Sequence, residues 1–461
     1  MFAKSIYQGR RQGLAEKTET GLILLLGNDE SPVNYTDNVY PFRQDSTFLY
    51  YYGLNAVGLA GVIDIDENRA WLYGQDPTVR SLIWTGPRPT VKQLAAKTGV
   101  SGAGDWAKLA EHVNKALSRG RKIHFLPPYR AETSLKLSAV TGISTEYLNE
   151  YASVPFIRGV VSQRSVKSEA EIEEIESALD IACHIYDTVL KMTTPGTIER
   201  QIAAKIEEIA NARGSRTSFS TIATVHGETL HNRSYENRLK KGQLLLVDSG
   251  VESFEHYSSD ITRTFPVGGR FSGLQQAVYR IVLGAQKCAI DAIKPNRRYR
   301  DIHLKAAEFM AEGLKDLGLM KGDIKTAVRR GAHGLFFPHG IGHMLGLDVH
   351  DMENLGEDRV GYDNTVKRSE QFGFSSLRLA KPLKPGHVVT VEPGIYFIPK
   401  LIDQWKSEKR LSRFINYPEV EKYKKLGGIR IEDNVLVTKT GRRVLGKPIP
   451  KSMADIEALM A

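Results

Sequence analysis

Four strand-like runs in the second half of the chain carry a carboxylate at or near one end. Asp248 follows the apolar run LLLV, and Glu392 follows VVTV. Asp260 opens DITRTF, and Glu432 stands within IRIEDNVLV. An acid next to a buried strand needs a cation, a hydrogen-bond donor or water, because burying an unpaired charge is costly. Whatever fold the chain adopts must provide partners for these carboxylates.

The spacing of the acidic residues predicts that they converge. Asp260 follows Asp248 by twelve residues, which suits two adjacent strands joined by a hairpin, with the two carboxylates facing each other. The two-residue period of a strand places Arg430 and Glu432 on the same face of GGIRIEDNV. Taken singly, Asp248 or Glu392 also fits a solvated loop acid. Taken together, the acids favour a metal ion.

Three histidines supply a nitrogen donor for such a site. His339 and His343 stand in PHGIGH, and His350 follows in DVH. The glycines between the first two histidines indicate a loop, in contrast to the helix of a zinc-protease HExxH motif. The predicted metal ligands are Asp248, Asp260, His343, Glu392 and Glu432.

This ligand set predicts two divalent ions per chain. Four carboxylates bring a charge of −4, which two divalent cations balance. Carboxylate oxygens with one imidazole favour manganese, with cobalt or zinc as alternatives. A pair of metals about 3.5 to 4 Å apart can bridge a water, lower its pKa and direct its attack onto a carbonyl carbon. The predicted reaction is therefore hydrolysis at an acyl centre.

The pattern along the chain predicts two domains. Residues 1–160 alternate strand-like runs such as GLILLLG with helix-like runs, which indicates an α/β domain. Ser168 and Glu171 form a capping box that opens a long amphipathic helix, and with it a second domain over residues 161–461. Beyond residue 215 this domain is rich in strands, with helices between about 273 and 318, so we expect an α+β domain with a curved, largely antiparallel sheet.

Composition excludes several other classes of protein. The 63 basic and 53 acidic residues give a net charge of +10, but the charges are scattered, so no nucleic-acid partner is expected. We see no apolar run of signal-peptide or membrane-span length, which predicts a cytoplasmic protein without a membrane partner. Cys183 and Cys288 are the two cysteines, too few for a disulfide framework.

The motifs DSG, SDITRTF, HGIGH, VEPG and RIED resemble the pita-bread metallopeptidase family, which contains methionine aminopeptidases, aminopeptidase P, prolidase and creatinase. The resemblance covers residues 160–461 and implies the pita-bread fold with a bridged dinuclear site. One metal would be held by Asp248, Asp260 and Glu432, and the other by Asp260, His343, Glu392 and Glu432. Homodimers are usual in the family, so a homodimer is expected.

The same resemblance implies roles for the remaining polar residues. His231 matches the histidine that lines the substrate pocket, and His339 and His350 match the pair that contacts the substrate and stabilises the tetrahedral intermediate. The predicted catalytic residues are His231, His339, His350, Glu392 and Arg430. The predicted substrate-binding residues are Arg378, His231 and His350.

The first half of the chain is similar to the leading domain of prolidase and aminopeptidase P, which methionine aminopeptidase lacks. The similarity includes FRQDSTFLYYYGLN from residue 42, whose aromatic side chains we expect in the core. It implies a creatinase/prolidase-type N-terminal domain, residues 1–160, that rims the active site.

Within this family the sequence favours prolidase, the Xaa-Pro dipeptidase. Arg378 precedes Glu392 by fourteen residues, where similar prolidases carry an arginine that grips the dipeptide's free carboxylate. The alternative is aminopeptidase P, which releases the N-terminal residue from longer Xaa-Pro peptides. A pita-bread protein that has lost catalysis and serves as a binding or chaperone module is disfavoured, because all five ligands are present.

Two positions depart from the family pattern. The spacing from Asp248 to Asp260 is one residue longer than expected, which predicts a bulge or longer hairpin at 253–256. Phe219 stands where relatives place a tyrosine whose hydroxyl bonds a metal ligand. The loss of that hydroxyl is expected to change metal affinity or the preferred ion.

Overall fold

The chain divides into two units near residue 164. The computed structural model describes residues 1–214 and 216–461. One unit comprises Met1–Arg164 with Asn354–Arg359, and the other comprises Ser165–Glu353 with Val360–Ala461. None of the helices within these described ranges has both the length and the hydropathy to cross a lipid bilayer.

The first unit is built on a five-stranded mixed sheet. Its strands are β1 Leu22–Leu26, β2 Pro32–Tyr35, β3 Asn38–Val39, β4 Ala60–Asp64, β5 Arg69–Tyr73, β6 Gly102–Gly104 and β7 Ile123–His124. The sheet order is β6-β5-β4-β1-β7, with β2 and β3 forming a separate hairpin. Strand β1 is antiparallel to β4 and parallel to β7, and every residue of β1 is buried. A central position in the sheet explains why LILLL is apolar on both faces.

Helices surround this sheet, as expected for an α/β domain. They are α1 Lys4–Thr18, α2 Ser46–Tyr52, α3 Val79–Thr85, α4 Val91–Thr98, α5 Trp106–Ser118, α6 Ala131–Thr141, α7 Leu148–Tyr151 and α8 Val154–Arg164. Leu109, Val113 and Ala116 of α5 pack in one core cluster with Leu22 and Leu24. The aromatic residues of α2 are also buried, as the sequence predicts.

Antiparallel strands make up the sheets of the second unit. They are β8 Arg216–Thr217, β9 Ile222–Thr224, β10 Leu244–Ser249, β11 Val251–Glu252, β12 Ile261–Pro266, β13 Val388–Val391, β14 Gly394–Tyr396, β15 Gly428–Arg430, β16 Asp433–Val437 and β17 Arg442–Val444. They form the groups β12-β10-β9, β13-β16-β17, β14-β15 and β11-β8, and each pairing between them is antiparallel.

More helices follow the boundary between the units at residue 164. The helices after residue 164 are α9 Glu169–Met192, α10 Glu199–Arg213, α11 Gly273–Ala292, α12 Tyr299–Asp316, α13 Ile324–Arg329, α14 Glu357–Val360, α15 Pro399–Ser407, α16 Tyr417–Val420 and α17 Met453–Leu459. Helix α9 begins at the predicted capping box, where Glu171 accepts hydrogen bonds from the Ser168 backbone N–H and hydroxyl. Its predicted apolar face is buried. Short 3₁₀ helices lie at Ala332–Leu335, Glu353–Leu355 and Glu421–Tyr423.

Candidate metal centre and substrate cavity

Strands β10 and β12 bring Asp248 and Asp260 together. The two strands pair antiparallel with Asp248 opposite Thr262, so Asp260 stands just before the start of β12. Asn434 fixes the Asp260 backbone, because its side chain accepts from the Asp260 N–H at 3.1 Å and donates to the Asp260 carbonyl at 2.6 Å. Both carboxylates line one cavity of about 430 Å³.

The connection between these strands contains an extra turn. The His256 N–H donates to the Ser253 carbonyl at 2.9 Å, and His256 has a φ of +67°. The turn lies in the 253–256 segment where the longer spacing predicts a bulge or a longer hairpin. The turn lies before β12 begins, and Asp248 and Asp260 stand on neighbouring strands.

Two strand interruptions place Glu392 and Glu432. The sequence predicts that the strand VVTV ends before Glu392 and that the strand GGIRIEDNVLV runs through Glu432. The structure has a strand on each side of Glu392, and it divides GGIRIEDNVLV in two at Glu432. Val391 pairs with Asp433 on one side of the break, and Gly394 pairs with Arg430 on the other. Pro393 has no N–H to continue the ladder, which accounts for the break on that strand. Glu392 and Glu432 therefore lie at the same level, in the gap between two pairs of strands.

A loop that follows α13 supplies His343. Its backbone N–H donates to the Thr390 hydroxyl at 3.0 Å, and its Nδ1 lies 2.9 Å from the Met344 carbonyl oxygen. Because that carbonyl can only accept, the ring proton is on Nδ1 and the lone pair is on Nε2. Nε2 lies 3.4 Å from an Asp260 carboxylate oxygen and 3.5 Å from a Glu392 oxygen. A lone pair facing two anions calls for a cation between them.

Three of the carboxylates each keep one oxygen without a donor. Within residues 1–214 and 216–461, Asp248 Oδ1, Asp260 Oδ1 and Glu432 Oε1 are buried without a hydrogen-bond partner. Ligand atoms of Asp260, His343 and Glu432 all lie within 4.8 Å of one another. Burial, and then the charge of neighbouring carboxylates, raises the pKa of Asp260 and of Glu432 well above the usual range. The residues present therefore fit divalent metal ions, which would neutralise these charges.

Arg430 and His339 belong to one hydrogen-bond network beside the carboxylates. Arg430 donates through Nη2 to Asp248 Oδ2 at 2.6 Å and through Nη1 to the Tyr396 hydroxyl at 2.9 Å. His339 Nε2 lies 2.8 Å from that hydroxyl, and its Nδ1 lies 2.8 Å from the Gly340 carbonyl. Both nitrogens of His339 are thus engaged with protein groups, although the ring lines the cavity. Tyr396 was not predicted from the sequence, because its place beside Arg430 depends on the pairing of β14 with β15.

The other predicted substrate residues also line the cavity. His231, His350, Arg378 and Phe219 are all among its lining residues. Burial lowers the pKa of His231, and it lowers the pKa of His350 to about 4. The cavity therefore joins the carboxylate cluster to an arginine and to histidines that burial holds in their neutral form.

Glu353 is a second residue that the sequence analysis missed. One carboxylate oxygen lies 2.6 Å from His350 Nδ1, and the other pairs with Arg378 Nη1. The hydrogen bond from His350 lowers the pKa of Glu353 to about 2. Because an ionised carboxylate only accepts, His350 donates from Nδ1, and Nε2 is the ring nitrogen left for the cavity. Its position three residues after His350 is the feature of the sequence that could have indicated this contact.

Comparison with known families decides how this site is classified. A model described as "Metallopeptidase family M24" matches residues 173–439, which is more than half of the chain. The chain belongs to metallopeptidase family M24. A second model, "Aminopeptidase P, N-terminal domain", matches residues 7–124. These matches confirm the family that the sequence motifs indicated. They also confirm the two-domain architecture, α/β followed by α+β pita-bread, and the metallopeptidase class.

Individual M24 relatives carry both proline-peptidase names. The chain is 30% identical to a Homo sapiens "Xaa-Pro dipeptidase" over 452 residues, covering 95% of this chain and 88% of that protein. It is 31% identical to a Haemophilus influenzae "Xaa-Pro aminopeptidase" over 467 residues, covering 99% and 97%. The chain is therefore a member of the M24 family similar to Xaa-Pro peptidases of both types.

Solved M24 structures match the whole chain. A "Proline aminopeptidase P II from Yersinia pestis" superimposes with a TM-score of 0.83 at 28% identity, covering 100% of this chain and 99% of that one. An Escherichia coli aminopeptidase P with the inhibitor Pro-Leu has a TM-score of 0.81 at 28% identity, covering 100% and 98%. Both halves of the chain thus share their fold with M24 peptidases of known structure.

Proposed function

We propose that this protein is a prolidase, which hydrolyses Xaa-Pro dipeptides with two divalent metal ions. The choice of prolidase rests on the position of Arg378. This residue lines the same cavity as Asp248, Asp260, His343, Glu392 and Glu432. A guanidinium at that position offers a geometric match for the free carboxylate of a dipeptide. A substrate whose chain continues beyond proline has no carboxylate to present there.

The proposed binding mode sets the scissile carbonyl at the carboxylate cluster and the proline carboxylate at Arg378. The Xaa–Pro amide has no N–H, so a pocket wall shaped for the pyrrolidine ring and offering no acceptor on that side would favour it. An ordinary peptide bond would leave its N–H unpaired against such a wall, which carries a desolvation penalty. This difference supports a preference for proline.

In this proposal Asp248, Asp260 and Glu432 hold one ion, and Asp260, His343, Glu392 and Glu432 hold the other. The ions, when bound, supply Lewis-acid activation of water and of the carbonyl. Glu392 takes the proton of the attacking water and passes it to the proline nitrogen as that group leaves. His350 and His339 face the carbonyl end of the substrate, and His231 lines the pocket.

The proposal extends to the ion, the assembly and the compartment. We infer manganese as the working ion, since the donor set is rich in oxygen with one imidazole, and cobalt or zinc are the alternatives. A homodimer is inferred from the resemblance to the family. A cytoplasmic location is inferred from the absence of an apolar run of signal-peptide or membrane-span length, and the free Cys183 and Cys288 suit a reducing compartment.

Aminopeptidase P activity is the second candidate. The full-length similarity to aminopeptidase P structures, with a TM-score of 0.83, favours it. In that case the far end of the cavity admits residues beyond proline, and Arg378 contacts the peptide chain in place of a terminal carboxylate. The two candidates differ in the substrate length that they accept.

Removal of the substrate's terminal charge tests the proposal. We expect Gly-Pro to be cleaved faster than its C-terminal amide, because the amide cannot form a charged pair with Arg378. Arg378→Ala should slow the dipeptide and leave the amide nearly unchanged. A hydrogen bond to a charged group contributes about 1.5 to 3 kcal/mol, which is roughly a tenfold to hundredfold change in kcat/KM. Both rates are measured with manganese added.

An exposed arginine provides the matched control for this experiment. Arg330 is exposed in the same unit, and Arg330→Ala should leave both rates unchanged. If the native enzyme cleaves Xaa-Pro amides and longer Xaa-Pro peptides as readily as the dipeptide, aminopeptidase P replaces prolidase as the function.

A further inference from the structure

One carboxylate that does not line the cavity contacts two side chains that do. Glu353 is not among the cavity-lining residues, yet its oxygens contact both His350 Nδ1, at 2.6 Å, and Arg378 Nη1. His350 and Arg378 lie 28 residues apart in the chain and both line the cavity. Glu353 is therefore a shared partner for two groups that face the substrate.

The loop that carries Glu353 is anchored immediately before it. The Asp351 carboxylate pairs with Lys167 at 2.9 Å, and both side chains are only 1% exposed. The Asp351 N–H also donates to the Met344 carbonyl at 3.0 Å. Removing either partner would leave a buried charge, so this anchor is strongly held. The path of the loop at residue 351 is thus determined independently of Glu353.

Met352 then turns the chain back towards His350. Its φ is +63°, in the left-handed region that residues other than glycine adopt rarely, and its side chain is buried. The following Glu353 N–H donates to the His350 carbonyl at 3.2 Å, which closes a tight turn. An unusual backbone conformation held between buried contacts is often associated with a functional position. Here its effect is to place the Glu353 carboxylate against the His350 ring.

We propose that Glu353 is a positioning residue that holds His350 and Arg378 as one unit and thereby contributes to the preference for a free carboxylate. The identity of the substrate rests on the proposed function. The pairing of Glu353 with His350 and Arg378 rests on the observed contacts. A carboxylate offers two acceptors, one for each donor, which keeps the imidazole and the guanidinium in fixed orientations.

A glutamine at this position separates charge from shape. Glu353→Gln keeps the side-chain size but provides one acceptor and one donor, so His350 and Arg378 compete for a single oxygen and neither is held in place throughout. We expect kcat to fall at least about tenfold for both Gly-Pro and its amide, because His350 loses its orientation. KM should rise for Gly-Pro and stay unchanged for the amide, because only the acid uses Arg378.

Double variants distinguish positioning from a general loss of structure. If Glu353 acts through His350, Glu353→Gln should cause no further fall in kcat when added to His350→Ala. Added to Arg378→Ala, it should cause no further rise in KM for Gly-Pro. Exposed Glu370 in the same unit is the control, and Glu370→Gln should behave as wild type throughout. Fully additive effects, or a Glu353→Gln variant indistinguishable from Glu370→Gln, overturn the proposal.

Two further measurements keep the result interpretable. The melting temperature of Glu353→Gln should match that of Glu370→Gln. If the glutamine variant does not fold, Glu353→Asp replaces it in the same double-variant comparisons. A native enzyme that prefers longer Xaa-Pro peptides disproves the prolidase function while leaving the His350 cycle testable on those peptides. Non-additivity in that cycle supports Glu353 whichever substrate is cleaved, and additivity there rejects it.

Discussion

Replacing Asp260 with alanine should abolish hydrolysis and release bound metal while leaving the fold intact. Asp260 has a buried, unpartnered oxygen and lies within 4.8 Å of ligand atoms of both His343 and Glu432. Because it is proposed to contact both ions, its loss removes one donor from each. A dinuclear centre that loses a shared carboxylate retains neither its charge balance nor its geometry.

The same substitution should not destabilise the metal-free protein. Burial, and then the neighbouring Asp248 carboxylate, raises the pKa of Asp260, and Asp260 in turn raises the pKa of Glu432. Removal of one of several repelling acids therefore relieves unfavourable charge in the absence of a cation. We expect the melting temperature of the metal-free variant to equal or exceed that of the metal-free wild type. Added manganese should raise the melting temperature of the wild type only, since a ligand stabilises the state that binds it.

Metal analysis after dialysis against manganese, together with Gly-Pro hydrolysis, checks this prediction. Asp316→Ala is a suitable control, because Asp316 is exposed at the end of α12 and outside the cavity. It should bind metal and hydrolyse substrate like the wild type. An Asp260→Ala protein that kept two ions per chain and a near-normal rate would remove Asp260 from the proposed ligands.

Strand periodicity accounts for the part of the site that the sequence predicted best. The twelve-residue spacing indicates that Asp248 and Asp260 belong to adjacent strands, and β10 and β12 do pair. The two-residue period places Arg430 and Glu432 on one face, and both line the cavity. A strand has only two faces, so the position of a residue in the repeat determines which face its side chain occupies.

Residues whose position depends on strand breaks or loop paths were harder to predict. Glu432 was expected within a continuous strand and Glu392 just after the end of one, but both lie where two strand pairs separate. Glu353 reaches Arg378 only because Met352 adopts a left-handed conformation, for which its residue type gives no signal. Such contacts depend on tertiary structure and have no period along the chain.

His350→Ala should lower kcat by about a hundredfold to a thousandfold and leave the metal content unchanged. His350 is not among the proposed metal ligands, although its ring lies 4.2 Å, centroid to centroid, from that of His343. Its Nδ1 donates to Glu353, so Nε2 is the nitrogen available to the substrate carbonyl. Before substrate binds the ring is neutral, because burial lowers its pKa to about 4. Nε2 can therefore donate only when the ring takes up a second proton, which the Glu353 carboxylate and the negative charge developing on the substrate oxygen both favour. Loss of one such donor costs roughly 2.7 to 4 kcal/mol.

The loss should appear in kcat more than in KM, because the interaction strengthens as the carbonyl oxygen gains charge and contributes less to the ground state. The dipeptide and its amide should be affected equally, since both present the same scissile carbonyl. That equality separates His350→Ala from Arg378→Ala, which is expected to slow the acid alone. Steady-state kinetics on both substrates, with metal analysis of the same samples, provide the measurement. If kcat is unchanged, or falls only in step with the metal content, His350 does not stabilise the carbonyl oxygen.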